Sequence, residues 1–128
     1  MLFTSFQEIK KRGFYENIEW ERTAETAEAY EKHKQKIKKL GLTPSKYILS
    51  QWDTFENYFF TTNKFGYNLP KDCEHYVLWL KKDINIIEAK KLLSKLIKND
   101  FIFWSNPPHK KSVADLAHYQ VIIHSPLT

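Results

Sequence analysis

Apolar positions in the first part of the chain recur at helical spacing, and those in the remainder recur at strand spacing. Phe6 and Ile9 form a short stripe behind Ser5-x-x-Glu8, a capping-box pattern, and Gly13 ends it. Phe14 to Trp20 reads as a turn or short helical piece that carries aromatics for a core. Ala27, Tyr30, Ile37 and Leu40 mark one narrow stripe on a long helix from about Thr23 to Leu40, stopped by Gly41. Its glutamates come early (Glu25, Glu28, Glu31) and its lysines late (Lys32, Lys34, Lys36, Lys38, Lys39), an order that complements the helix macrodipole. Thr43-Pro44 supplies a cap and a first helical position, so a further helix covers Pro44 to about Gln51.

Asn57 to Thr62 is aromatic and β-branched and reads as a strand. Asn63 to Pro70 is a loop. His75 to Lys81 is the clearest strand. Ile86 to Lys98 reads as a helix burying Ile87, Leu92, Leu93, Leu96 and Ile97. Phe101 to Trp104 is a short strand, Ser105 to Lys111 a polar loop, Ser112 to Ala117 a turn, and His118 to His124 the last strand. This order predicts an α+β fold in one domain over residues 1–128. N-terminal helices (about 1–52) pack on a small, mostly antiparallel sheet (about 55–125) with one inserted helix.

Composition narrows the class. A chain of 128 residues suits one domain. Aromatics at 16% supply enough apolar surface for a core despite 27% charged residues, and only three glycines and five prolines argue against disorder. Cys73 is the lone cysteine, which rules out an intrachain disulfide and a cysteine-based zinc site within one chain. The start, Met1-Leu2-Phe3-Thr4-Ser5, does not have the form of a secretory signal, and no apolar run approaches the roughly 20 residues that span a bilayer. The expectation is a cytoplasmic protein without a membrane partner. A net charge of +5 points to anionic partners. Arg12 and Arg22 are the only arginines, which weakens a nucleic-acid reading, since arginine is the preferred reader of bases and phosphates.

The candidate chemistry lies in the strands. Alternation puts His118, Gln120, Ile122 and His124 on one face of the last strand, and His75, Val77 and Trp79 on one face of the earlier one. Two imidazoles facing one pocket can serve as acid and base near neutral pH. Asn106, His109, Lys110, Lys111 and Ser112 precede His118, offering an amide, two ammonium groups and a hydroxyl for an anion. Plain alternatives stand beside these: His118 and Gln120 can simply satisfy loop backbone, and the loop can be a solvated connection. The histidines show no metal-site spacing, no G-x-S-x-G elbow exists, and neither a metal nor a cofactor is implied.

Asn63-Lys64-Phe65-Gly66-Tyr67-Asn68-Leu69-Pro70 followed by His75-Tyr76-Val77-Leu78-Trp79-Leu80-Lys81 resembles a fungal family. There an Asn-Asp-Phe-Pro-Tyr-Gly-Leu segment precedes a His-headed strand containing Val-Trp. Phe103-Trp104-Ser105-Asn106, Lys111-Ser112-Val113 and His118-Tyr119-Gln120-Val121 are similar to that family's closing pattern, and Tyr30 and Tyr47-Ile48-Leu49 fit its N-terminal part. This is the family of N-acetylglucosamine-induced proteins, a domain of unknown function, and the resemblance covers roughly residues 14 to 125. Lys64, Gly66 and Gln120 depart from it, standing for Asp, Pro and a second His. A second resemblance is to the histidine-triad nucleotide hydrolases and transferases. It rests on Leu116-Ala117-His118-Tyr119-Gln120-Val121-Ile122, where Leu116 stands in the first histidine position. It implies that His118 holds the nucleophile position and Gln120 the third, as in the uridylyltransferase branch. The two-histidine phosphodiesterases need Ser or Thr two residues after each His, where Val77 and Gln120 stand, so their pattern is not met.

The expected function is action on a phosphorylated small molecule, a nucleotide or nucleotide-sugar phosphoester. His118 is the expected nucleophile or base and His75 the partner acid. Asn106, Lys110, Lys111, Ser112 and Gln120 are expected to bind the ligand, with Asn63 and Tyr67 on the far wall. The alternatives are a non-enzymatic small-anion binder using the same pocket, and a nucleic-acid or protein interaction module using the Lys32–Lys39 helix face.

Overall fold

The computed structural model describes residues 2–52, 56–106 and 116–126. Helix α1 (Phe6–Arg12) starts where the Ser5 hydroxyl accepts the Glu8 N–H, and it ends at Gly13 with φ 62°, a left-handed position that glycine adopts without strain. Phe14 follows at φ 48° and is 70% exposed. A phenylalanine in this region pays for its Cβ against the following carbonyl. Phe14→Asn, which tolerates that conformation, is expected to raise stability by about 0.5–1 kcal/mol, read as a higher urea midpoint. A lower midpoint would mean that the exposed ring makes a contact worth more than the strain.

A 3₁₀ turn (Tyr15–Asn17) leads to α2 (Ala24–Lys39), capped by Thr23, and then to α3 (Pro44–Ser50), capped by Thr43 with Pro44 in its first turn. The stripe on α2 differs from the one read in the sequence. Ala27 and Leu40 are exposed, and the inward line is Thr26, Tyr30, His33 and Ile37. The physical reason is that this face looks onto a cleft rather than a dry core, so polar residues occupy it.

Strands β1 (Tyr58–Thr62), β2 (Cys73–Leu80), β3 (Phe101–Trp104) and β4 (His118–His124) form one sheet in the order β1-β2-β4-β3, every neighbouring pair antiparallel. Helix α4 (Ile86–Leu96) connects β2 to β3, which run parallel with β4 inserted between them. The fold is α+β, as the order of apolar periods predicts.

One sheet face packs on α4. Leu78, Leu80, Tyr119, Val121 and Ile123 meet Ala89, Leu93 and Ile97 in a single cluster. Here too the helix stripe is rotated from expectation. Ile87 is 67% exposed and Leu96 37% exposed, because the buried line runs Ala89, Leu93, Ile97 at i, i+4 spacing and leaves Ile87 pointing away. The opposite face carries two separate clusters. Phe6, Ile9, Ile102, Trp104 and Ile122 pack beneath α1, and Trp52, Val77, Trp79 and Leu116 pack near Ile48 and Phe59. Among the described residues no helix is long and apolar enough to cross a membrane.

Candidate functional site

The pairing register sets His75 opposite Ile122, Val77 opposite Gln120, and Trp79 opposite His118. Directly opposed residues share a face, so both histidines and Gln120 lie on the face away from α4. The two histidines are two rungs apart, which at strand rise is roughly 13 Å, and the Val77–Gln120 rung stands between them. They share a face without touching.

Over this face lies a cleft of about 930 Å³. Val77, Trp79, His118 and Gln120 contribute to it from the sheet, Asn63, Lys64, Phe65 and Tyr67 from the β1–β2 loop, and Tyr30, His33 and Ile37 from α2. Its far wall is tied together by rings: Phe65 lies 5.3 Å from Tyr30 and 4.8 Å from His33, and His33 lies 4.9 Å from Tyr47 of α3. Burial, and then the charges of Lys36 and Lys64, hold the His33 imidazole below its usual range.

His75 has a fixed protonation pattern. The Tyr67 backbone N–H donates to its Nδ1 at 3.2 Å, so Nδ1 carries no proton. Nε2 must then carry the proton and donate it to the Gln120 Oε1 at 2.6 Å. That turns the Gln120 amide nitrogen away from His75. Burial pushes the imidazole down to about 4, and the Arg22 charge adds to this against the opposing Gln120 bond. A neutral imidazole with both nitrogens engaged internally is suited to fixing its neighbours and poorly suited to exchanging protons with a ligand. His75, expected as the partner acid, does not line the cleft and has both ring nitrogens engaged within the protein.

The neighbours extend this network. The Trp104 indole N–H donates to Asn106 Oδ1 at 2.7 Å, and the Asn106 amide donates to the Tyr67 hydroxyl at 3.3 Å. The Tyr67 ring packs 4.6 Å from His75, and Trp20 stacks on both Tyr67 (5.2 Å) and Trp104 (5.1 Å), whose own rings lie 6.5 Å apart. Asn63 accepts the Phe65 N–H and donates its own N–H to the His75 carbonyl, which shapes the loop. Gly66 is required by this closeness. A Cβ there would sit 2.9 Å from His75 Nδ1 and 3.2 Å from the Asn63 carbonyl. Gly66→Ala is expected to cost about 1–3 kcal/mol by overpacking, measured by chemical unfolding. An unchanged midpoint would mean that the loop is not seated on His75.

His118 is held differently. Its Nδ1 lies 2.8 Å from the Leu116 carbonyl, which can only accept, so Nδ1 carries the proton and Nε2 is the basic nitrogen. The ring packs 4.7 Å from Trp79 and is 5% exposed.

Of the residues read from sequence, the structure brings His118, Gln120, Asn63, Tyr67 and Asn106 to the cleft. Lys110, Lys111 and Ser112 lie outside the described residues. The Trp79 ring packs on His118 and the Trp104 ring on Trp20. Sequence reasoning missed Arg22, His33 and Lys64. It also placed Lys34, Lys36 and Lys38 on a separate interaction face, whereas all three line this cleft. The signal for Arg22 was present: one of two arginines in a lysine-rich chain, directly before a helix cap. Among the described residues no group of three His, Cys, Asp or Glu side chains gathers as a metal site.

Neither a family model nor a curated protein matches this chain. A solved crystal structure of a protein called HTC1 superposes with a TM-score of 0.73 at 20% identity, covering 97% of this chain and 86% of that one, a likeness that shows the fold alone.

Proposed function

We propose that the cleft binds a phosphorylated small molecule bearing a flat ring, a nucleotide or nucleotide sugar, and that His118 acts on its phosphoester. The charge of the lining carries this reading: among the described residues Arg22, Lys34, Lys36, Lys38 and Lys64 stand against one carboxylate, that of Glu19. Five cations around one concave space favour an anion and concentrate it there. A cleft of about 930 Å³ suits a molecule of that size. As general base, His118 Nε2 takes a proton from the attacking water or hydroxyl. The new oxygen–phosphorus bond forms as the bond to the leaving oxygen breaks.

A second reading is a binder without chemistry. The pairing of His75 with Gln120 favours it, since both nitrogens of that imidazole are engaged within the protein. A thermal-shift panel of nucleotides and sugar phosphates, with phosphorus NMR for products, separates the two. The expected result is a raised melting temperature and product formation, with His118→Ala lowering turnover by about 10²–10⁴-fold while keeping the shift. A shift without product selects the binder. No shift with any member of the panel sinks the proposal.

A further inference from the structure

Arg22 differs from the lysines of the cleft in being built into place. Its Nε–H donates to the Phe65 carbonyl at 2.6 Å, and its guanidinium lies 4.8 Å from the Tyr30 ring centroid and 5.7 Å from that of Tyr67. One of its five donors is used by the carbonyl, and the two Nη groups keep the planar fork that matches phosphate oxygens. The side chain is partly buried, yet it has no carboxylate partner among the described residues, where the ion pairs are Lys10–Asp100, Lys32–Glu28, Lys34–Glu31 and His124–Asp72. A partly desolvated cation with no counter-charge is costly until an anion arrives. Lys34, by contrast, is exposed and already paired with Glu31 at 2.7 Å.

Its place in the cleft matters as much as its charge. Arg22 sits by Tyr67, whose ring is 4.6 Å from His75, at the rung of Ile122. His118 sits two rungs away among Trp79, Val77 and Phe59, at the apolar end.

Resting on the reading of this cleft as a phosphate-ligand site, we infer that Arg22 is the anchor for the ligand's anionic group, held at the end of the cleft remote from His118. The ligand is then an elongated molecule, with its anchored charge and the group that meets His118 on the order of 10 Å apart, the scale set by two rungs of the sheet. A nucleoside diphosphate or a nucleotide sugar reaches both ends; inorganic phosphate or a compact sugar phosphate reaches one.

Calorimetric titration of wild type, Arg22→Gln, Arg22→Lys, Lys34→Gln/Lys38→Gln and His118→Ala with ADP, UDP-glucose and inorganic phosphate tests this. Arg22→Gln is expected to weaken ADP on the order of 10- to 100-fold. Arg22→Lys, which keeps the charge and the fold but not the fork, is expected to recover only part of this. The double lysine variant removes two of the five cations and is expected to weaken ADP as well, by clearly less than Arg22→Gln does, since exposed charges each contribute little. Inorganic phosphate is expected to weaken with Arg22→Gln and to bind His118→Ala as it binds wild type. Full ADP affinity in Arg22→Gln, with loss in the lysine variant, overturns the anchor and leaves the cleft reading standing. Equal loss of phosphate binding in His118→Ala overturns the two-ended ligand. A wild-type protein that binds neither ADP nor UDP-glucose overturns the cleft reading, and this inference with it.

Discussion

Acidification from pH 7 to pH 4 is expected to remove about 3 kcal/mol of folding stability through His75 alone. The folded-state imidazole titrates at about 4, against an ordinary value of 6.5. Between these values the unfolded chain holds a proton on His75 that the native protein does not. Stability therefore falls as pH falls through this window, and the loss levels off below about 4. At pH 7 both states are mostly neutral and the term is small. Protonation would place a charge beside Arg22 and make Nδ1 a donor facing the Tyr67 N–H donor, so the Tyr67 loop is where acid acts first. His33 is also held below its usual range and shifts stability in the same direction. Urea unfolding at pH 7, 5.5 and 4 reads the effect, and His75→Gln is expected to flatten the pH dependence. A histidine NMR titration that finds His75 near its ordinary value would contradict the assignment.

How much of this was legible follows from what each signal depends on. The caps at Ser5 and Thr43 were readable because capping is local: each accepts a backbone N–H three residues on, as its sequence context predicts. The strands were readable because alternation is local too, and the faces assigned to His75, His118 and Gln120 are those that the register confirms. Helix stripes were less legible. On α2 and α4 several rotations of the wheel carry apolar residues, and only the partner decides between them. Ala27 lost to His33, and Ile87 to Ala89, because one helix borders a cleft and the other meets a sheet through its smallest residue.

The site was legible in part for the same reason. His118, Gln120 and Asn106, which line the cleft, were singled out by a polar pair on an otherwise apolar strand and the amide before it. The hydrogen bonding of His75 was not legible, since it includes a backbone N–H from Tyr67, and backbone donors leave no mark on sequence pattern. Nor was Arg22, whose place depends on α2 and the β1–β2 loop meeting across more than 40 positions of chain. The lysines of α2 read as a separate interaction face because nothing local says that the helix forms one wall of a cleft.

Phe6→Ala is expected to cost about 3–5 kcal/mol, the usual range for emptying a fully buried aromatic site. Phe6 is 0% exposed, packs with Ile102, Trp104 and Ile122, and stacks 4.9 Å from His124. Its backbone N–H donates to both Asp72 carboxylate oxygens, at 3.0 and 3.2 Å. Helix α1 has seven residues, too few to persist without tertiary support. The ring and the Asp72 contact therefore decide whether the helix exists at all. Its loss reaches the cleft, because Trp104 holds Asn106, Asn106 holds the Tyr67 hydroxyl, and Tyr67 holds His75. Phe6→Ala should thus lower the urea midpoint and also speed hydrogen exchange at α1 and at the Tyr67 amide, ahead of the central strands. Leu2→Ala, at a 43% exposed position, serves as the control and is expected to change stability by less than about 0.5 kcal/mol. If Phe6→Ala costs less than about 1 kcal/mol, or leaves the Tyr67 amide protected, then α1 is an ornament on the sheet rather than the support of Trp104 and the network that runs from it to His75.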